Sequence, residues 1–368
     1  MKIKAPAVKK EAGILKLLCL PVIAILTVVA LSLSGCEFAP GREEEPEPPE
    51  ETVEVKKDIA IRDYRVTGGE YFPGDQITAA IEVENHTGET ETIWVGCSIE
   101  NPLGHWYDLP AEKTTLDQGE TATFKFTWEV PDNKQGNELV SGSHDLVMAL
   151  WPEQPGKEGL ERLDETRIEN AFTVFRDYEN FTAFDKDKWE KSSHRLGLGE
   201  LKPENVNITA EMLQITLPAG TLNGGQLETR ETASLYGSYR AKMKLPNAPS
   251  SITGFFLYRP PDYYYEIDIE VVNDPSGKIW FTTYAEGERS NTHETYLDFD
   301  PTKDFYEYRF DFYPGEVSFY VDGELLKTFE EGLPEEPMKL MINSWFPRWL
   351  EGITPENDRV TLVEWIKY

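Results

Sequence analysis

The chain has 368 residues, enough for two domains with separate cores. Its 36 basic and 66 acidic residues leave a formal charge of -30. That balance repels nucleic acid and anionic polysaccharide and favours a neutral ligand, though it would equally serve solubility in saline surroundings. With 39% hydrophobic and 12% aromatic residues, the composition is that of a globular, tyrosine-rich protein.

At the start of the chain, Lys2, Lys4, Lys9, Lys10 and Lys16 precede an apolar run from Leu17 to Leu33, and Leu33-Ser34-Gly35-Cys36 closes it. The pattern resembles a bacterial-type lipoprotein signal peptide with its lipobox. That resemblance implies removal of residues 1–35, lipidation of Cys36 and an extracytoplasmic, membrane-anchored protein. A plain transmembrane anchor is the competing reading, because the run is nearly long enough to span a bilayer. Residues 36–55 are mostly Pro and Glu, too poor in apolar surface to order themselves, and read as an extended tether. With Cys19 in the signal and Cys36 acylated, Cys97 is left without a disulfide partner and reads as packing.

Residues 56–175 hold about seven short alternating runs separated by turn signals such as Pro73-Gly74-Asp75 and Asp117-Gln118-Gly119. Thr121 to Val130 and His144 to Trp151 alternate most clearly. Such spacing predicts an immunoglobulin-like β-sandwich, serving as a spacer or a weak carbohydrate binder. Trp94, Trp106, Tyr107 and Trp151 would be the binding rings, unless they are core.

Residues 176–368 contain a dozen further strand-like runs with no helical period and no phosphate-binding glycine loop. So many strands predict two stacked, curved sheets. Asp322-Gly323 marks a tight hairpin. The stretch Tyr263 to Val272 stands apart: period two sets Glu266, Asp268 and Glu270 on one face and Ile267, Ile269 and Val271 on the other. Three like charges on one strand face are costly. A solvated strand face would be the plain explanation, but Tyr258, Tyr263, Tyr264 and Tyr265 crowd the approach, and aromatic rings beside carboxylates suit the faces of sugars.

Four ordered blocks carry a family resemblance: Glu-Ile-Asp-Ile-Glu at 266–270, Leu-Tyr-Gly-Ser-Tyr-Arg-Ala-Lys-Met-Lys at 235–244, Phe-Tyr-Pro-Gly-Glu-Val-Ser-Phe-Tyr-Val-Asp-Gly at 312–323, and the closing Val-Glu-Trp-Ile-Lys-Tyr. Together they resemble family 16 of the glycoside hydrolases. The resemblance implies a concanavalin-like β-jelly roll over residues 176–368, with Glu266 as nucleophile, Glu270 as general acid/base and Asp268 orienting the pair. The chemistry agrees, since retaining hydrolysis needs two carboxyl groups about 5–5.5 Å apart. The three residues alternate without an extra residue, as in the lichenase and xyloglucan branch, which points first to β-1,3-1,4-glucan.

By the same resemblance, Tyr264, where the family often has tryptophan, Tyr284, and the pair Asn343 and Trp345 contact sugar. Glu228 falls where lichenases carry a substrate-contacting arginine; either Arg230 substitutes from a shifted register or the cleft holds a different glycan. Glu364 resembles a ligand for a structural calcium on the convex side, or is a bare sheet-edge acid; catalysis itself needs no cofactor. His194 and His293 lack ligand spacing, and the aromatic loop Trp345 to Trp349 is expected at the cleft. The expected protein is all-β, a monomer and an endo-acting β-glucanase. The alternatives are an endo-β-1,3-glucanase or transglycosylase of the same fold, or a glycan-binding surface lipoprotein.

Overall fold

The computed structural model describes residues 58–132, 139–233 and 235–368. The segments read as signal and tether, Cys36 among them, lie outside these residues.

The first core grows from strict alternation. In Gln76–Asn85 the residues Ile77, Ala79, Ile81 and Val83 are buried and their neighbours face outward. That strand sits between Ile59–Val66 and Thr121–Glu129 in a three-stranded sheet. A second sheet, built on Glu91–Glu100, Gly142–Trp151 and Asp164–Val174, supplies Val95, Ile99, Leu146, Met148 and Leu150 to the same core. Cys97 is buried there, and burial pushes its thiol up to about 12, so it stays protonated. Tyr107 packs against Trp128 with ring centroids 5.2 Å apart, and Trp151 covers Gly96. Trp106 is exposed beneath the Arg167 guanidinium.

The second core lies between two large antiparallel sheets. One comprises Trp189–Lys191 (β1), Gly225–Thr229 (β2), Ile252–Arg259 (β3), Tyr265–Val272 (β4), Lys278–Ala285 (β5), Glu288–Tyr296 (β6) and Lys339–Trp345 (β7), in the order β1-β2-β7-β3-β4-β5-β6. The facing sheet runs from Val206–Thr209 to Glu324–Phe329 and includes the last strand, Arg359–Lys367. Leu227, Phe255, Leu257, Ile267, Ile269, Phe281, Leu340 and Ile342 point inward from the first sheet and meet Tyr239, Phe310, Phe319 and Val363 from the second. The described residues are thus nearly all β, with one 3-10 turn at Pro203–Asn205, as the alternating runs require.

Residues around the two cores are joined directly. Phe72 stacks on Phe175 and Tyr178 at 5.9 and 5.3 Å. The Ser141 carbonyl accepts hydrogen bonds from the Ser238 amide and the Tyr313 hydroxyl, and Glu70 pairs with both Lys367 and Arg240.

One hairpin departs from the sequence pattern. Strand β6 starts directly after Glu286-Gly287, which makes a two-residue turn with φ of 54° and 89°. Asp322-Gly323 shows the same geometry, with φ of 51° and 84°. Positive φ at both turn residues matches the twist of a hairpin. Aspartate before glycine advertises that conformation, whereas glutamate does not.

Candidate active site

Strand β4 pairs residue for residue with β3 on one side and β5 on the other, from Tyr265 onward and without a bulge. Directly opposed residues share a face, so the ladder fixes what surrounds the three carboxyl groups. Glu266 lies between Tyr258 and Tyr284, Asp268 between Phe256 and Thr282, and Glu270 between Gly254 and Trp280. Two strands further, β7 adds Lys339, Met341 and Asn343 to these three rows, and β2 adds Glu228 and Gln226 beyond them.

This face points away from the core, yet Gln226, Phe256, Asp268, Thr282, Met341 and Asn343 are all below 9% exposed. Neighbouring side chains therefore shield this face although it is turned from the core, and we take it as the floor of the candidate cleft. A few placed polar groups among aromatic rings suit sugar recognition.

Burial governs the charges. It pushes the Glu270 carboxyl up to about 7, against a smaller downward pull from Arg289. It also raises Glu266, with repulsion from Glu270 adding to the effect. Asp268 is held well above the ordinary carboxyl range by burial, by both glutamates and by its hydrogen bond to Glu266. Protonated Asp268 donates to Glu266, so within the set the Glu266 carboxylate has a built-in donor.

A second polar cluster lines the floor towards β1. Lys339 Nζ lies 2.5 Å from Glu190 and 3.2 Å from Glu228. Burial pulls the Glu228 carboxyl upward, but hydrogen bonds from Ser192, Gln226 and Lys339 outweigh it and leave the group below its ordinary value. Gln226 Nε2 donates to Glu228 at 2.9 Å, and Asn343 Nδ2 donates to Gln226 Oε1 at 3.1 Å. The chain of donors ends at Asn343 Oδ1, which is buried and has no hydrogen-bond partner. An acceptor in that condition is suited to a ligand hydroxyl.

The remaining candidates are spread around this floor. Tyr284 lies beside Glu266, and its ring contacts Tyr263 with centroids 5.7 Å apart. Tyr264 is exposed and packs against Tyr265 and the turn at Gly287. Trp345 ends β7 and meets the exposed Trp349 edge-on at 5.4 Å. Gly197, with φ of +59°, passes so close that a Cβ there would stand 2.6 Å from the Trp345 ring. Arg230 lies one residue past β2, where its Nε donates to the Lys186 carbonyl and its guanidinium is 3.4 Å from Glu190. The structure therefore sets Arg230 at the sheet margin, apart from the three carboxyl groups.

His194 is exposed in a short hairpin, and His293 stacks on Phe281, on the face opposite the carboxyl groups. Glu364 is 3.0 Å from Lys242 Nζ. An ammonium group thus meets that carboxylate, and the described residues contain no group of three or more His, Cys, Asp or Glu arranged for a metal. No step of catalysis is assigned to a calcium ion.

Two residues escaped the sequence: Lys339, at the head of the apolar run Leu340 to Ile342, and Arg289, beyond the unadvertised turn. Arg289 is the register partner of Tyr284, and its guanidinium carbon lies 5.6 Å from that ring centroid.

Residues 199–366 match the model of Glycosyl hydrolases family 16. A β-glucanase of Paenibacillus macerans is 29% identical over 212 residues, covering 54% of this chain and 89% of that protein. A β-glucanase of Bacillus subtilis (strain 168) is 28% identical over 208 residues, covering 52% and 85%. Among solved structures, a Bacillus licheniformis β-glucanase is 26% identical with a TM-score of 0.48, covering 52% of this chain and 96% of that one.

Proposed function

We propose that this glycoside hydrolase, whose family 16 domain spans residues 199–366, is an endo-acting β-glucanase that cleaves β-1,3-1,4-glucan or a related β-glucan with retention of configuration. The observation that carries the proposal is the set of three carboxyl groups at alternate positions of one unbroken strand, on a buried yet polar floor. Similarity to two proteins called β-glucanase supports the substrate class.

In this mechanism Glu266 attacks the anomeric carbon while Glu270 gives its proton to the leaving glycosidic oxygen. The C–O bond to the leaving sugar breaks as the Glu266–carbon bond forms. Glu270, now a carboxylate, takes a proton from water, whose oxygen displaces Glu266 and restores both groups. Burial raises the Glu270 carboxyl to about 7, so a protonated fraction is available near neutral pH for the first step. The hydrogen bond from Asp268 stabilises the Glu266 carboxylate before attack and again on release.

Tyr264, Tyr284 and Trp345 are assigned to stacking on sugar rings, and Asn343 to accepting a sugar hydroxyl through Oδ1. Arg230 is assigned to the far margin of the cleft. We further place the protein outside the cytoplasm as a monomer, anchored through lipid on Cys36 and tethered by residues 36–55. The unit at residues 56–175 would then be an immunoglobulin-like spacer. These assignments rest on sequence pattern, and intact mass of the mature chain tests the anchor.

Reducing-sugar release by the full chain from lichenan, barley glucan, laminarin, xyloglucan, agarose and carrageenan tests the activity, with Glu266→Gln as control. Lichenan and barley glucan should be cleaved, and the variant should be inactive. No release from any glucan, or equal release by the variant, contradicts the proposal.

A further inference from the structure

The sheet built on Glu91–Glu100, Gly142–Trp151 and Asp164–Val174 has a second face, turned away from the first core. In Glu91–Glu100, Ile93, Val95, Cys97 and Ile99 point into that core, so Trp94, Gly96, Ser98 and Glu100 lie on the other side. Pairing sets Trp151 beside Trp94, Ala149 beside Gly96 and Asp145 beside Glu100. On the opposite flank of Glu100, the short edge strand Trp106–Asp108 brings in Trp106. Directly opposed residues share a face, so three indoles stand on the outer side of one sheet. None of them belongs to the first core, whereas Trp128 and Tyr107 do.

These rings are held in place. A Cβ on Gly96 would stand 2.7 Å from the Trp151 ring, so that indole lies along the sheet, and the Arg162 guanidinium is 5.9 Å from its centroid. Trp106 is 45% exposed. Arg167 reaches it from Asp164–Val174, 5.5 Å from the ring centroid, while bonding Glu100 at 2.6 Å and Asp145 at 2.5 Å. Arg162 likewise pairs with Glu165, so both guanidinium charges are matched and neither calls for an anionic ligand. The Glu100 and Trp94 rows are six residues apart on one strand, about 20 Å, which is room for several sugar rings in file. Flat apolar rings beside fixed donors and acceptors suit the C–H faces and hydroxyl edges of a neutral glycan. We propose that this face is a glycan-binding platform for a neutral β-glucan chain, with Trp106, Trp94 and Trp151 stacking on sugar rings and the Arg167–Glu100–Asp145 cluster meeting hydroxyls. It holds the polymer on the protein between cuts. The choice of polymer rests on the β-glucanase reading.

The test is affinity electrophoresis of the full chain in native gels cast with barley glucan, with Glu266→Gln in every sample so that the polymer is not cut. Adding Trp106→Ala should raise the apparent Kd roughly tenfold, as when an aromatic anchor is lost from a binding surface. Trp106→Phe should keep part of the retardation, Trp106→Ala with Trp94→Ala should lose more, and the anionic carrageenan should not retard the chain. Melting curves follow the fold of each variant. If Trp106→Ala and the double variant migrate as their parent does, or if barley glucan retards none of them, the platform is overturned. It is overturned equally if sedimentation shows that these rings join two copies of the chain. Cleavage of barley glucan by the chain with Glu266 intact decides separately whether the β-glucanase reading stands.

Discussion

Gly254 sits directly across the sheet from Glu270, and on its other side it pairs with Asn343, whose Oδ1 lies 2.9 Å from where a Cβ of residue 254 would stand. The absent side chain leaves the space in which a buried, unpartnered acceptor faces the row of the proposed acid/base. Gly254→Ala should displace the Asn343 amide while leaving the sheet paired. Overpacking of this kind costs about 1–3 kcal/mol of fold stability, and losing one hydrogen bond from Oδ1 to a sugar hydroxyl, about 1 kcal/mol, should separately lower kcat/KM about fivefold. Steady-state kinetics and a melting curve check it; unchanged kinetics would mean that Oδ1 does no work in the cleft.

The buried carboxyl groups make stability depend on pH. The Glu270 carboxyl rises from 4.5 to about 7 in the fold, so the folded state holds its proton more tightly than the unfolded chain does. That stabilisation is fully present below pH 4.5 and is lost as pH rises to about 7. Glu270→Gln removes this contribution while leaving those of Glu266 and Asp268. At pH 8 it should melt above wild type by about 1–3 kcal/mol of stability, equivalent to several degrees. Near pH 4 the two curves should converge. A difference that does not change with pH would contradict the burial account.

Lys339 holds Glu190 and Glu228 together on the cleft floor. Lys339→Met removes the shared cation from two partly exposed carboxylates, and the loss should be about 1–2 kcal/mol. Adding Glu228→Gln should recover part of it, because the repulsion it leaves behind is then removed. Urea unfolding of the two single variants and the double variant measures the coupling. Strictly additive losses would show that the cluster is not one unit.

At the junction of the two cores, Gly142 has φ of +142°, and a Cβ there would lie 1.9 Å from the Tyr313 hydroxyl. The atom it would meet is the end of the Tyr313 side chain, held in place because that hydroxyl donates to the Ser141 carbonyl. Gly142→Ala should therefore cost about 2–4 kcal/mol, whereas Tyr313→Phe should cost about 1 kcal/mol for one lost hydrogen bond. Denaturant melts of the two variants distinguish a tight junction from a loose one, for which both would be silent.

How legible this molecule was in its sequence depended on periodicity. Strands such as Gln76–Asn85 and Tyr265–Val272 declared their two faces because their apolar residues alternate. The Asp322-Gly323 hairpin declared itself through a residue pair that favours positive φ. The turn at Glu286-Gly287 adopts the same shape with glutamate, and Arg289 was hidden behind it. Lys339 was hidden differently: its neighbours Met338, Leu340, Met341 and Ile342 read as plain core, and only the ladder to Tyr258 shows that it shares a face with Glu266. Arg230 was the converse, a cation of suitable parity that the end of β2 leaves at the sheet margin. Local pattern announces a strand face, but which neighbours arrive on that face is set by pairing across the sheet.

The central claim is double displacement at Glu266 with Glu270 as acid/base, and the anomeric configuration of the first product tests it most directly. Proton NMR of barley glucan during early hydrolysis by the full chain should show the β-anomer of the new reducing end first, with the α-anomer growing in only by mutarotation. Initial release of the α-anomer would mean a single displacement by water and would contradict the account.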